Sequence, residues 1–174
     1  KNTDWWSLGV DTNLFKPHKQ SNIPDLPRPI LLYVGRIAVE KNLKSFLDVN
    51  MPGTKVLVGD GPALEELRAQ YPDAVFVGEK HGEELARYYS SGDVLVFPSK
   101  TDTFGLVMLE ALACGTPIAA YPVSGPADVI QDPRVGVLDD VLHNAILSAL
   151  NLVSQDCRNY ALKFSWANCA QSLL

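Results

Sequence analysis

Nowhere do the 174 residues hold an apolar run of the about 18 needed to cross a bilayer, so no transmembrane helix is predicted. Cysteine is scarce. Cys114, Cys157 and Cys169 are odd in number and lack metal-ligand spacing, which argues against a disulfide framework or a zinc site. They read as buried thiols, suited to a reducing compartment, and a cytoplasmic protein is expected. Positive charge is also in deficit: 15 Lys and Arg against 20 Asp and Glu leave a net charge of −5. The cations are scattered, which excludes the concentrated field of a nucleic-acid-binding surface but leaves room for a few local anion contacts. His18 and His143 have no carboxylate or nucleophile beside them, and His81 reads as a solvated loop residue, so no catalytic acid–base pair stands out. No internal repeat and no signal-peptide pattern occur, and Lys1 in place of an initiator Met points to a longer chain.

Nearly half of the residues, 47%, are hydrophobic, enough for one core in a domain of ordinary size. Residues 16–29 are rich in Pro, Asn, Ser and charge and read as an entry segment before the first strong strand; residues 1–29 are therefore expected to enter from a preceding domain, the compact body beginning near Ile30. From there to residue 163 short apolar runs alternate with helical patterns. This is the signature of a Rossmann-like α/β domain, a parallel sheet with helices on both faces. Strands are predicted at Ile30–Val34, 55–58, 75–77, Val94–Phe97 and 117–120. Helices are predicted at 42–49, 62–70, 83–91, 105–113 and 126–130, with Asn42 as an N-cap, Pro62 in a first turn and Gly115 after a helix end. The tail from Asp140 is helical in pattern and broken near Ser165. Residues 164–174 carry Phe164, Trp166, Leu173 and Leu174, too apolar for a free tail.

Ligands of such sheets bind beyond the carboxyl ends of the strands, which singles out Gly35-Arg36, Gly59-Asp60-Gly61, Gly78-Glu79-Lys80 and the residues from Pro98 to Phe104. The helix predicted from Gly105 is apolar on nearly every side yet carries Glu110. A buried carboxylate needs donors, either the paired hydroxyls of a ribose or a structural partner inside the protein. The backbone amides of Phe104, Gly105 and Leu106 fall at the start of that helix, where an anion or hydroxyl oxygens are favoured. Asp102 just ahead of them either caps the helix or accepts from a sugar hydroxyl. Arg36 and Lys41 are two cations placed to converge on a diphosphate at a helix mouth; alternatively each is a solvated charge, with Glu40 neutralising Lys41. Gly59 and Gly61 make a tight strand-to-helix turn or allow close approach of a nucleotide. The third glycine of a dinucleotide fingerprint is missing, Leu64 standing in its place, which disfavours an oxidoreductase.

Five segments, in this order, resemble the carboxyl-terminal domain of the retaining group 1, or family 4, glycosyltransferases of GT-B architecture. Residues 8–17 are similar to the segment leading into that domain, and residues 33–42, Tyr-Val-Gly-Arg-Ile-Ala-Val-Glu-Lys-Asn, to its phosphate-binding strand and turn. Residues 58–62 resemble its second strand end, and residues 90–99 lead into the acidic signature that Ala-Leu-Ala-Cys-Gly-Thr-Pro at 111–117 follows. Within the family, residues 39–42, 102–105 and 120–126 look most like bacterial and plant lipid glycosyltransferases, including GDP-mannose-dependent mannosyltransferases and sulfoquinovosyl transferases. The resemblance implies one half of a GT-B fold that binds a nucleoside-diphosphate sugar, GDP-mannose or a UDP-sugar, for transfer to a lipid or glycan with retention at the anomeric carbon. Arg36 and Lys41 would hold the diphosphate without a metal or other cofactor, Glu110 the ribose, and the amides from Phe104 to Val107 the sugar or phosphate. Many relatives have Glu in place of Asp102, a longer reach to the sugar. The acceptor would bind to an amino-terminal domain, through which peripheral contact with the inner face of a membrane is expected, and residues 1–174 alone would hardly turn over. A non-catalytic nucleotide-binding module, or a sugar-nucleotide epimerase of the same architecture, is the alternative.

Overall fold

The structure, a computed structural model, describes residues 9–102 and 105–171. Leu8, Phe104, Leu173 and Leu174 lie outside the described residues. Strands β1 (Ile30–Val34), β2 (Thr54–Val58), β3 (Val75–Gly78), β4 (Val94–Phe97), β5 (Ile118–Ala120) and β6 (Gly136–Leu138) form one six-stranded sheet in the order β3-β2-β1-β4-β5-β6. All pairings are parallel. Parallel strands are buried on both faces and so read as unbroken apolar runs; Ile30, Leu31, Leu32, Tyr33 and Val34 of β1 are all buried.

The helices are α1 (Leu43–Leu47), α2 (Leu64–Gln70), α3 (Gly82–Ser91), α4 (Leu106–Ala113), α5 (Ser124–Val129), α6 (Leu142–Ala149), α7 (Ser154–Leu162) and α8 (Trp166–Gln171), with a 3-10 turn at Val39–Lys41. Strand alternation splits the core in two. Leu31, Tyr33, Val94 and Val96 pack under Phe46 of α1, Leu67 of α2 and Ile146 of α6, whereas Ile30, Leu32, Leu95 and Phe97 meet Tyr89 of α3, Leu112 of α4 and Tyr160 of α7. Helix α4 owes its all-round apolar character to its place between the sheet and α7, with Met108, Leu109, Ala111, Leu112 and Ala113 buried. It stops at Gly115 as expected: with φ at +84°, the Gly115 amide donates to Leu112 and the Thr116 amide to Ala111, a Schellman closure.

Three expectations are corrected. The compact body does not begin at Ile30, because Val10, Phe15 and Ile23 are buried in the core and the Phe15 ring stands edge-on to Tyr89, centroids 5.9 Å apart. A sixth strand, β6, follows α5; it is three residues long at a sheet edge, too short to stand out as an apolar run. Asn42 occupies the N-cap position of α1 in a left-handed conformation, but its side chain accepts from the Ser45 hydroxyl and donates to the Pro98 carbonyl rather than capping an amide. At the other end, Phe164 packs on Tyr160 with centroids 5.3 Å apart, and Val10 pairs in parallel with Ser165. Helix α8 buries no residue, and Trp166 is 58% exposed. Among the described residues no helix is long and apolar enough to cross a membrane.

Candidate functional site

Strand order reverses between β1 and β4, so the connections leaving their carboxyl ends turn to opposite faces and part above the sheet. The β1 connection carries Gly35, Arg36 and Lys41, and the β4 connection carries Asp102. Two contacts join them: the Asn42 side-chain amide donates to the Pro98 carbonyl at 3.0 Å, and the Lys41 ammonium lies 2.7 and 2.8 Å from the two Asp102 oxygens. Lys41 is therefore matched by Asp102, not by Glu40. Glu40 stands 3.9 Å from the Arg36 guanidinium, both side chains largely in solvent. The structure pairs Lys41 with Asp102 at this edge, and Arg36 lies on the same β1 connection beside Glu40.

The turns after β1, β2 and β3 are stitched by backbone bonds that continue the ladder past the strands. The Gly35 amide donates to Val58, Ile37 to Asp60, Ala63 to Ile37 and Gly59 to Gly78, at 2.9–3.0 Å. Gly59 and Gly61 are explained by this stitching: a β-carbon at Gly59 would stand 1.8 Å from the Gly35 carbonyl oxygen, and one at Gly61 would stand 2.3 Å from that of Ile37. The close approach they permit is thus turn upon turn. Beneath Gly35 the buried Tyr33 hydroxyl donates to the Arg36 carbonyl at 2.8 Å, and burial, with the Asp102 and Glu40 carboxylates nearby, raises its pKa so that it keeps its proton. A cleft of about 400 Å³ opens over these turns, lined by Gly35, Arg36, Gly59, Asp60, Glu79 and Lys80 among others. Its volume is in the range of small-ligand pockets.

At the head of α4, Gly105 packs directly over Met108, whose methyl would lie 1.9 Å from an added β-carbon. The Met108 and Leu109 amides donate to the Gly105 carbonyl, while those of Leu106 and Val107 have no acceptor among the described residues. Phe104, whose amide was also expected here, lies outside those residues. One turn further on, Glu110 is half-buried, and among the described residues its carboxylate meets no cation. The fully buried Tyr89 of α3 donates its hydroxyl to Oε2 at 2.7 Å. Burial raises the Glu110 pKa, a shift that the Tyr89 bond opposes. Tyr89 was not singled out from sequence, since a tyrosine on an amphipathic helix reads as core; only its spatial neighbour reveals the polar tip.

Side chains outside this edge are quieter. His81 heads α3, exposed, 3.5 Å from Glu79. Burial pushes the Cys114 and Cys157 thiols up to about 12, which keeps them inert, whereas Cys169 is only half-buried, contrary to expectation.

Residues 28–155 match the family described as glycosyl transferases group 1. The chain is 38% identical over 144 residues to sulfoquinovosyl transferase of Arabidopsis thaliana, covering 75% of this chain and 28% of that protein. It is 38% identical over 141 residues to a GDP-mannose-dependent alpha-mannosyltransferase of Mycobacterium tuberculosis, covering 76% of this chain and 37% of the relative. Among solved structures, sucrose-phosphate synthase from Thermosynechococcus elongatus superposes with a TM-score of 0.80 at 32% identity, over 95% of this chain and 49% of that one. The chain thus spans less than half the length of each of these three.

Proposed function

The chain belongs to the group 1 glycosyl transferases, and on that premise we propose that it is the nucleotide-sugar-binding half of a glycosyltransferase. In this reading the donor is GDP-mannose or a UDP-sugar, and its sugar passes to a lipid or glycan with retention at the anomeric carbon. The acceptor sits on an amino-terminal domain, and the protein works in the cytoplasm, at the inner face of a membrane where the acceptor is a lipid.

The carrying observation is the ion pair of Lys41 with Asp102 at the carboxyl edge where strand order reverses, with the exposed Arg36 guanidinium on the same β1 connection. Charge developing on the departing diphosphate is met by the Arg36 guanidinium and the Lys41 ammonium, with no metal needed. The Leu106 and Val107 amides offer donors to sugar or phosphate oxygens. Glu110, half in solvent and held by Tyr89, accepts from the ribose hydroxyls, and Gly35, Gly59 and Gly61 keep the turns low enough for the nucleotide to lie over them.

Calorimetry with GDP and UDP in excess EDTA tests this reading. One of the two is expected to bind, and Arg36→Ala to weaken it by about 1.5–3 kcal/mol, the scale of a hydrogen bond between charged groups. Binding that disappears with chelator and returns with magnesium would refute the metal-free reading.

A further inference from the structure

Lys41 and Asp102 are 61 positions apart and meet across the gap between β1 and β4, with both carboxylate oxygens in contact. Their side chains are 23% and 26% exposed, against 64% and 61% for Arg36 and Glu40, so this pair is far less screened by water. The Asn42–Pro98 bond ties the same two connections independently, so opening the ion pair does not by itself part them.

Resting on the donor-binding reading above, we propose that Asp102 is a specificity-determining residue that holds Lys41 in the empty site and yields it to a ligand bringing a replacement hydrogen-bond donor. A sugar nucleotide brings one, because its sugar hydroxyls can take the place of the ammonium on the carboxylate. A bare nucleoside diphosphate does not. It takes Lys41 and leaves Asp102 unpaired, half-buried and beside added negative charge, which is penalised both as an uncompensated ion and as like-charge repulsion. Asp102 thereby favours the sugar-bearing donor over the diphosphate that remains after transfer, and its recapture of Lys41 helps to expel that product.

Calorimetry on the wild type, Asp102→Asn, Lys41→Gln and the double variant, each with GDP, UDP, GDP-mannose and UDP-glucose, tests this. With whichever of GDP or UDP the wild type binds, D102N is expected to bind the bare diphosphate roughly tenfold tighter. The corresponding sugar nucleotide gains less, so the preference for it narrows. In the K41Q background the same Asp102 substitution tightens diphosphate binding by several-fold less, because only the like-charge repulsion is left to relieve and no ammonium is left to release. An unchanged or weaker diphosphate affinity in D102N overturns the proposal. So does equal tightening in both backgrounds, which would mark simple removal of negative charge. If D102N loses its cooperative melt, Asp102→Ser replaces it. A wild type that binds none of the four ligands sinks the donor-binding reading and this inference with it, an outcome distinct from those in which the diphosphate binds and the variants disagree.

Discussion

Glu110 is a charge on an otherwise apolar helix, answered by a hydroxyl instead of a cation. A carboxyl whose folded pKa lies above its unfolded value binds more protons in the native chain across that window. Its ionisation therefore subtracts from stability as pH rises from the ordinary value of 4.5 through the raised one. Glu110→Gln removes the charge and keeps an acceptor for Tyr89. It is expected to melt at or above the wild-type temperature at pH 7, the gap closing as pH falls through the window and vanishing below about 4.5. Nucleoside-diphosphate affinity is expected to fall by about 1–3 kcal/mol in the same variant, the scale of a hydrogen bond to a charged group. Thermal melts across pH, paired with calorimetry, read both; a lower melting temperature at pH 7 with affinity intact would make Glu110 a structural residue instead.

The strand-end turns behave as one element, and their glycines differ in what they allow. Gly59, with φ at +148°, faces the Gly35 carbonyl, whereas Gly78, with φ at +81°, has nothing within 4 Å of an added β-carbon. Gly59→Ala is therefore expected to lose about 3 kcal/mol in urea unfolding, from overpacking against backbone. Gly78→Ala should lose about 1–2 kcal/mol, from backbone conformation alone. Similar losses would show that the turns are not locked together. The apolar runs of β1, β2, β4 and β5 were legible in sequence because parallel strands are buried on both faces, and the strand ends pointed to Arg36 and Lys41. The partnerships were not. Lys41 finds Asp102 across 61 positions and Glu110 finds Tyr89 across 21, distances that no local pattern encodes. Val10 and Phe15 likewise lie in a stretch with few apolar residues, and their burial in the core that holds Tyr89 of α3 is a tertiary contact that the local pattern does not encode.

At the scale of the whole molecule, Arg158 fastens the leading segment to the body. Its guanidinium donates to the carbonyls of Thr12, Phe15 and Ala113 at 2.8–3.0 Å, so α7 grips both that segment and the end of α4. Arg158→Met keeps most of the apolar stem and removes the donors. It is expected to cost about 3 kcal/mol, with hydrogen exchange accelerating at residues 10–15 while β1 and β4 stay protected. Uniform acceleration would mean that the segment and the sheet unfold together. The pairing of Val10 with Ser165 adds a mechanical consequence. Because the two stretches run parallel, the chain leaves that point backwards from Val10 and forwards from Ser165 in opposite directions. Tension between the flanking segments therefore loads the bridge in shear, and the force runs through Val10, Phe164 and the Arg158 clamp before it can reach β1, leaving the strand ends mechanically insulated from tugging at the domain's margins.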